Sequence, residues 1–291
     1  MERITESELI LNENGSVYHL NLLPGDICSN IITVGDPERV ERVAAFFDSI
    51  RIKRKNREFE TITGFLNGVE LTVISTGIGT TNIDIVLNEL DALVNIDLAT
   101  RRLKEDHTSL NFFRLGTSGS IQSDLTLGSL LISQKSVALE GIFHYYKEAD
   151  ALVCEKWDGL DELNHGLKSY VFQADAQLLS RFEKLGLLGI TATLGGFYAP
   201  QGRSIRIGST AKEWLHQLSD FRHNDQRITN IEMETAGLYG FAKMLGHKAI
   251  SINAILANRL DGEFAPNPNS IIDDMIKKFL QIITNVDSSS R

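Results

Sequence analysis

Three short glycine-containing segments each follow an apolar run, and two of them carry an arginine. They are Gly35-Asp36-Pro37-Glu38-Arg39, Ser75-Thr76-Gly77-Ile78-Gly79 and Arg114-Leu115-Gly116-Thr117-Ser118-Gly119. Glycines at a strand end let backbone N–H groups approach a ligand, and a helix starting there adds positive potential. Arg39 falls in the first turn of a helix predicted to begin at Pro37, where a cation opposes the helix dipole. An anion held between the guanidinium and the N–H groups makes sense of that placement. Arg114 directly precedes a predicted Gly-Thr turn, so it can reach the same anion while Thr117 donates a hydroxyl. A guanidinium pairs with phosphate through two parallel hydrogen bonds. The plainer alternative is that the glycines only make turns and the arginines pair with surface carboxylates. No segment matches GxxxxGK[ST], and no GxGxxG opens a helix after the first strand. Nucleoside triphosphates and dinucleotides are therefore disfavoured as ligands.

Two further segments carry chemistry. Glu232-Met233-Glu234 opens a predicted helix, where carboxylates often serve only as dipole partners. In the functional reading, one glutamate accepts hydrogen bonds from a ribose diol while the methionine covers the sugar. Phe197-Tyr198-Ala199-Pro200-Gln201-Gly202-Arg203 combines an aromatic platform with a side-chain amide and a pure donor. Gln201 and Arg203 can read the O=C–N–H–C=O edge of a uracil-type ring stacked on Phe197; taken alone, the segment also reads as an ordinary surface loop. The seven histidines form no HExxH and no i,i+4 helical pair, so no metal site is expected. Arg51, Lys53, Arg54 and Lys55 read as the solvated face of a strand.

The elements that must position these residues alternate along the chain. Ile31–Val34 reads as a buried strand, ended by Gly35, with Asp36 as N-cap and Pro37 at the first helical position. Val69–Ser75 is a strand, and Ile83, Val86, Leu87 and Leu90 mark one face of the helix after it. Asn111–Leu115, Leu127–Ser133, Gly189–Leu194 and Lys248–Ala257 continue the strands. Helices are predicted at Leu178–Leu185, stopped by Gly186, and at Glu232–Leu245, ended by Gly246. Two more follow the capping boxes Thr210-x-x-Glu213 and Ser270-x-x-Asp273. In the last helix Asp273/Lys277 and Asp274/Lys278 stand at i,i+4 spacing. This alternation predicts an α/β fold: one domain over residues 1–291, three-layer α/β/α, with a mixed, largely parallel twisted central sheet. The polar segment 97–109 is expected to leave the sheet as a surface excursion, and the tail at 286–291 to fray.

Composition narrows the partners. The 291 residues include 29 basic and 38 acidic side chains, for a net charge of −9. Such a surface repels nucleic acid and anionic lipid, so any bound anion needs a local arginine cluster. Cys28 and Cys154 sit in no CxxC pattern and read as buried reduced thiols. The polar N-terminus has no apolar core of a leader, and no run of 18 apolar residues occurs, so a cytoplasmic protein without membrane contact is expected.

Taken in order, Val17-Tyr18-His19-Leu20, GDPERV, NREFET, STGIG, RLGTSG, FYAPQGR, EMET and Ala257-Asn258-Arg259 resemble the nucleoside phosphorylase-I family, and within it the bacterial uridine phosphorylases. The resemblance spans most of the chain, and the joint order and spacing make it specific. It implies a phosphate site of Gly35, Arg39, Arg114 and Thr117, with Arg57 reaching in from a neighbouring subunit. It implies a ribose site of Met233 and Glu234, with His19 also donated across the boundary. The base is implied to lie on Phe197, Gln201 and Arg203, with Leu256 and Ala257 lining its pocket. Sites shared in this way imply a homodimer, or a hexamer built as a trimer of dimers. No organic cofactor is implied, since inorganic phosphate is the co-substrate. Some relatives bind a monovalent cation such as potassium, but Asn82 stands here where a small serine serves that position.

Purine-cleaving bacterial relatives carry a Ser-Asp pair where this chain has Asn258-Arg259, and water-using nucleosidases lack the phosphate arginines. Both differences imply phosphorolysis of a pyrimidine nucleoside to free base and ribose or deoxyribose 1-phosphate. Arg203, Glu234 and His19 are the implied catalytic groups. The arginine acts electrostatically on the departing base, because it stays protonated. A purine phosphorylase or nucleosidase of the same family is the rival enzyme, reached if Asp261 turns towards a purine; a non-catalytic nucleoside sensor is the rival of another class. The stretch Asn95–Asn111 is longer than the usual link into the RLGTSG strand, and the loop after Asp261 also departs from the family pattern.

Overall fold

The computed structural model describes residues 3–284, so the tail at 286–291 lies outside the described residues. The fold begins with β1 (Asn30–Val34) and α1 (Pro37–Ala44). Asp36 caps α1, its carboxylate accepting the Arg39 N–H at 2.9 Å. An antiparallel meander follows: β2 (Ser49–Asn56), β3 (Phe59–Leu66) and β4 (Val69–Ser75). Next come α2 (Thr80–Asn95), a ribbon of β5 (Ile96–Asp97) and β6 (Arg102–Leu103), and the long strands β7 (Asn111–Ser120) and β8 (Leu130–Leu139). Short helices α3 (Ala149–Leu152) and α4 (Leu160–Leu163) lead to β9 (Tyr170–Gln173), α5 (Ala176–Phe182) and β10 (Leu187–Leu194). The last part runs α6 (Lys212–Asp220), the hairpin β11 (Arg222–His223) and β12 (Gln226–Arg227), and β13 (Asn230–Glu232). It closes with α7 (Thr235–Met244), β14 (Lys248–Asn258), β15 (Glu263–Phe264) and α8 (Pro268–Ile283).

Eleven strands form the central mixed sheet, in the order β15-β14-β8-β10-β13-β7-β1-β4-β3-β2, with β9 on β8. Its inner pairings β4–β1–β7–β14 and β8–β10–β13 are parallel; the meander edge, β9 and β15 are antiparallel. Because β14 pairs with both β7 and β8, strands β7, β13, β10, β8 and β14 close on themselves. Ile31 and Ile32 are adjacent in β1 and so face opposite ways, yet both are fully buried. The sheet is therefore covered on both faces there. Phe113 of β7, Phe182 of α5 and Phe279 of α8 pack ring against ring at centroid distances of 5.2–5.6 Å, tying two helices to the sheet.

The structure differs from the sequence reading at several points. Gly116-Thr117-Ser118-Gly119 is no turn but the second half of β7, paired with Asn253–Ala257 of β14. Four glycine or small polar residues in a row look like a turn in sequence, while β14 supplies the hydrogen bonds that make them a strand. Glu232 ends β13 instead of opening a helix, and α7 starts at Thr235. Neither predicted capping box forms: α6 and α8 begin without a side-chain cap, and Ser270 lies inside α8. Asp274 pairs with Lys278 at 2.7 Å, but Asp273 turns to Arg42 of α1 at 2.6 Å instead of Lys277.

The 95–111 stretch forms the β5–β6 ribbon, outside the central sheet, and is then pinned at its far end. His107 donates from Nε2 to the Leu245 carbonyl at 2.9 Å, and Asn95 accepts the Thr108 N–H at 2.7 Å. Asp91, His107 and His247 place one ligand-type atom each within 4.8 Å of one another, a juxtaposition no spacing in the sequence announces. His247 Nδ1 accepts the Leu110 N–H at 3.2 Å, and its buried Nε2 lies 3.2 Å from Asp91 Oδ1 without a hydrogen bond among the described residues. With its lone pair spent on Leu110, His247 works as a clasp between the stretch, α2 and the end of α7.

Candidate active site

Strand ends and loops from seven segments of the sequence line one cavity of about 530 Å³. Its walls include Gly35, Arg39, Arg114, Thr117, Phe197, Gln201, Arg203, Glu232, Met233, Glu234, Leu256 and Ala257. Of the candidate residues, only His19 and Arg57 are absent from these walls.

Arg39 and Arg114 bring the positive charge. Arg39 is held by Asp36 at 3.2 Å and donates to the Leu115 carbonyl at 3.3 Å, but its Nε is buried and bonds to nothing among the described residues. Burial pulls this guanidinium below its ordinary value, with Asp36 pushing back. A buried donor without a partner is costly, and an anion in the cavity would satisfy it. Arg114 is buried on β7. Its Nη1 donates to Asn253 Oδ1 at 3.1 Å, and its Nη2 hydrogen-bonds Glu234 and lies 3.3 Å from Glu232.

Glu234 uses both oxygens inside the protein: Oε1 accepts the Gly79 N–H at 2.7 Å, and Oε2 accepts from Arg114. Burial lifts this carboxyl above its ordinary value, Arg114 opposing and Glu232 adding to the rise. For Arg114, burial works against the charge, yet Glu232 and Glu234 outweigh it and raise the value. Within the pair the guanidinium is firmly charged, and the carboxyl is the member that burial has made easier to protonate.

At the base-reading loop, Gln201 is buried in a short 3₁₀ turn (Ala199–Gln201) ended by Gly202 at φ +71°. Arg203 Nη1 donates to Gln201 Oε1 and to the Phe197 carbonyl, both at 2.6 Å. Its guanidinium lies 3.7 Å from the centroid of Phe197, so one face of that ring is already covered. Burial and the nearby Arg259 pull Arg203 down to about 10, which still leaves it charged at neutral pH. The arrangement offers donors to a carbonyl-rich ring edge, while the Gln201 oxygen keeps one lone pair for a ring N–H.

Asn253 and Arg259 escaped the sequence reading as site residues, and Glu232 entered it only as an alternative to Glu234 for the ribose. Asn253 holds Arg114 from the facing strand, and Arg259 donates to the Gln201 carbonyl at 3.0 Å from a half-buried position against Gly119. Asn253 stands in a run that reads as ordinary strand and Arg259 just beyond its end, so only the pairing of β7 with β14 exposes their roles. Asp261 does not line the cavity; its Oδ2 accepts from Asn258 at 2.6 Å.

His19 and Arg57 sit together elsewhere. His19 Nδ1 lies 2.6 Å from Glu89, and Arg57 adopts φ +54° with its guanidinium 5.4 Å from the Tyr18 ring. Asn56 Nδ2 links the two segments through the His19 carbonyl at 2.8 Å.

With a buried arginine pair beside this cavity on a mixed α/β sheet, the chain belongs to the phosphorylase superfamily, whose sequence profile matches residues 30–285. It is similar to the uridine phosphorylase of Thermococcus kodakarensis, with 32% identity over 91% of this chain and 85% of that protein. The uridine phosphorylase of Haemophilus influenzae is 27% identical over 92% of this chain and 96% of its own length. Among solved structures, a Trypanosoma brucei nucleoside phosphorylase described as showing uridine phosphorylase activity superposes with a TM-score of 0.83. That likeness covers 95% of this chain and 98% of the other, at 26% identity. Among the described residues, no helix is long and apolar enough to cross a membrane.

Proposed function

We propose that this enzyme cleaves a pyrimidine nucleoside of the uridine type with inorganic phosphate, releasing the free base and ribose or deoxyribose 1-phosphate. One observation carries the reading. The buried, partly unsatisfied Arg39 and the buried Arg114 share a cavity with the Gln201–Arg203 pair. The first two suit a phosphate dianion, and the second pair suits a uracil edge. The uridine phosphorylases similar to this chain support the same choice.

In the reaction, a phosphate oxygen forms a bond to the anomeric carbon as the bond from that carbon to the base nitrogen breaks. The electron pair leaves with the base, so negative charge grows on its carbonyl oxygens, where Arg203 and Gln201 stabilise it. Arg39, Arg114 and Thr117 orient phosphate, whose charge also stabilises the cationic sugar. Glu234 and Met233 hold the ribose; for this Glu234 must exchange its bond to Arg114 for the sugar hydroxyls, as phosphate takes over the guanidinium. The reaction as written needs no organic cofactor.

Two such subunits complete each other's sites in this reading. His19 and Arg57, which do not line their own cavity, then reach the ribose and phosphate of a neighbour, in a homodimer or a hexamer.

Base release from uridine, thymidine, inosine and adenosine, each with and without phosphate, tests the proposal. Phosphate-dependent release of uracil or thymine alone is expected. Purine release would move the enzyme to a purine phosphorylase, release without phosphate would make it a nucleosidase, and no release at all would point to a sensor.

A further inference from the structure

Glu232 lies in the cavity wall beside the arginines, yet a second carboxylate there is electrostatically awkward for a site that binds phosphate. Its hydrogen bonds explain its presence. Oε1 accepts from the Thr193 hydroxyl at 2.6 Å, and Oε2 accepts the Glu234 N–H at 3.0 Å. Both oxygens lie 3.0 Å from the Thr235 N–H. The Thr193 hydroxyl in turn accepts the Ala236 N–H at 2.8 Å. Three successive backbone donors at the start of α7 are thus consumed inside the protein, directly or through Thr193. These are the groups that normally make a helix N-terminus an anion site.

We propose that Glu232 is a positioning residue that caps α7 from the preceding strand, so that phosphate is left to the arginines and Glu234 is held for the ribose. Two consequences follow from one carboxylate. It blocks the α7 terminus as a competing phosphate position. It also fixes the backbone of Glu234, which sits at φ −135° and ψ −29° just outside the helix, and so sets where the Glu234 carboxylate points. Its ion pair with Arg114 keeps that guanidinium against β13. The inference rests on the phosphorolysis reading for its catalytic half and on charge alone for its phosphate half.

Glu232→Gln and Thr193→Val separate these effects. Glu232→Gln removes a negative charge near the phosphate and frees backbone donors, so calorimetric titration with inorganic phosphate should show binding about fivefold tighter. The same variant should lose roughly ten- to a hundredfold in kcat for uridine, because Glu234 is no longer aimed. Thr193→Val keeps the charge and frees only the Ala236 N–H: phosphate binding should tighten less than in Glu232→Gln while kcat falls. A merely structural cap would lower thermal stability and weaken both substrates together.

Phosphate binding unchanged or weakened in Glu232→Gln overturns the inference, as does unchanged kcat in both variants. If wild-type protein binds phosphate but releases no base from any nucleoside, the functional reading falls, and the phosphate titration of Glu232→Gln still decides whether the cap blocks the anion.

Discussion

The guanidinium of Arg114 occupies the space a side chain on Gly116 would need: an added Cβ there would stand 1.5 Å from Arg114 Nη1 and 2.5 Å from Cζ. The two residues are two apart on β7 and so share a face of the strand. Gly116 pairs with Asn253 of β14, the residue whose side-chain oxygen accepts from the same Nη1. Its lack of a side chain therefore serves an arginine lying flat on its own strand, which is a different use from the close backbone approach that glycines at strand ends suggest.

Gly116→Ala should displace that guanidinium. The backbone there is ordinary strand, so the substitution leaves the fold in place and moves the side chain. The expected result is a rise in KM for phosphate with a loss of about a hundredfold in kcat/KM. Steady-state kinetics with phosphate as the varied substrate, alongside a thermal melt, check both halves.

Arg114→Met should cost stability in a pH-dependent way. It leaves Glu232 and Glu234 buried without their cation, a loss of about 3–5 kcal/mol at neutral pH. Glu234 already sits above the ordinary carboxyl value through burial, and removing Arg114 raises it further. A carboxyl raised on folding stabilises the fold while protonated, and that contribution is lost as pH rises through its folded value. Denaturant melts of the variant should therefore approach wild type at acidic pH and fall away from it towards neutrality. An equal loss at both would show that the carboxylates are not coupled to Arg114.

Arg203→Ala should act on the base alone. Arg203 touches the Phe197 carbonyl and Gln201 side chain in an exposed loop, so the fold should survive. Loss of charge stabilisation on the departing base corresponds to about 2–4 kcal/mol, or roughly 10²–10³ in kcat/KM for uridine. Phosphate affinity of the free protein should not change. Normal turnover of uridine in this variant removes the base-reading role.

Shared sites predict complementation. Arg57→Ala and Arg203→Ala should each be strongly impaired, since one breaks the contribution to a neighbour and the other breaks the subunit's own cavity. Mixed after reversible dissociation, they should recover activity, because half of the sites in a mixed dimer carry neither defect. Recovery absent from a confirmed mixed oligomer, or full activity in a demonstrated monomer, rules out the shared arrangement.

Much of this was legible in the residues. Ile31–Val34 and Val69–Ser75 formed as strands because short runs rich in apolar and β-branched residues between turn residues have few other places to go. The Asp36-Pro37 start of α1 formed because capping is local chemistry. Arg39, Arg114, Thr117, Gln201, Arg203, Met233 and Glu234 could be named as site candidates because unusual residue types beside glycine turns, in a familiar order, leave a mark in one dimension.

The tertiary structure alone decided the rest. Gly116–Gly119 became strand because β14 lies beside it, a pairing between residues more than a hundred positions apart that no local window contains. Asp273 left Lys277 for Arg42 because α1 packs within reach, and packing outweighs a few tenths of a kcal/mol from an i,i+4 pair. Asn253, Glu232 and Arg259 gained their roles only where strands meet, since a hydrogen bond depends on distances and angles between elements. The sequence by itself determined which residues were fit for the chemistry; the closure of β7, β13, β10, β8 and β14 determined which of them face one another.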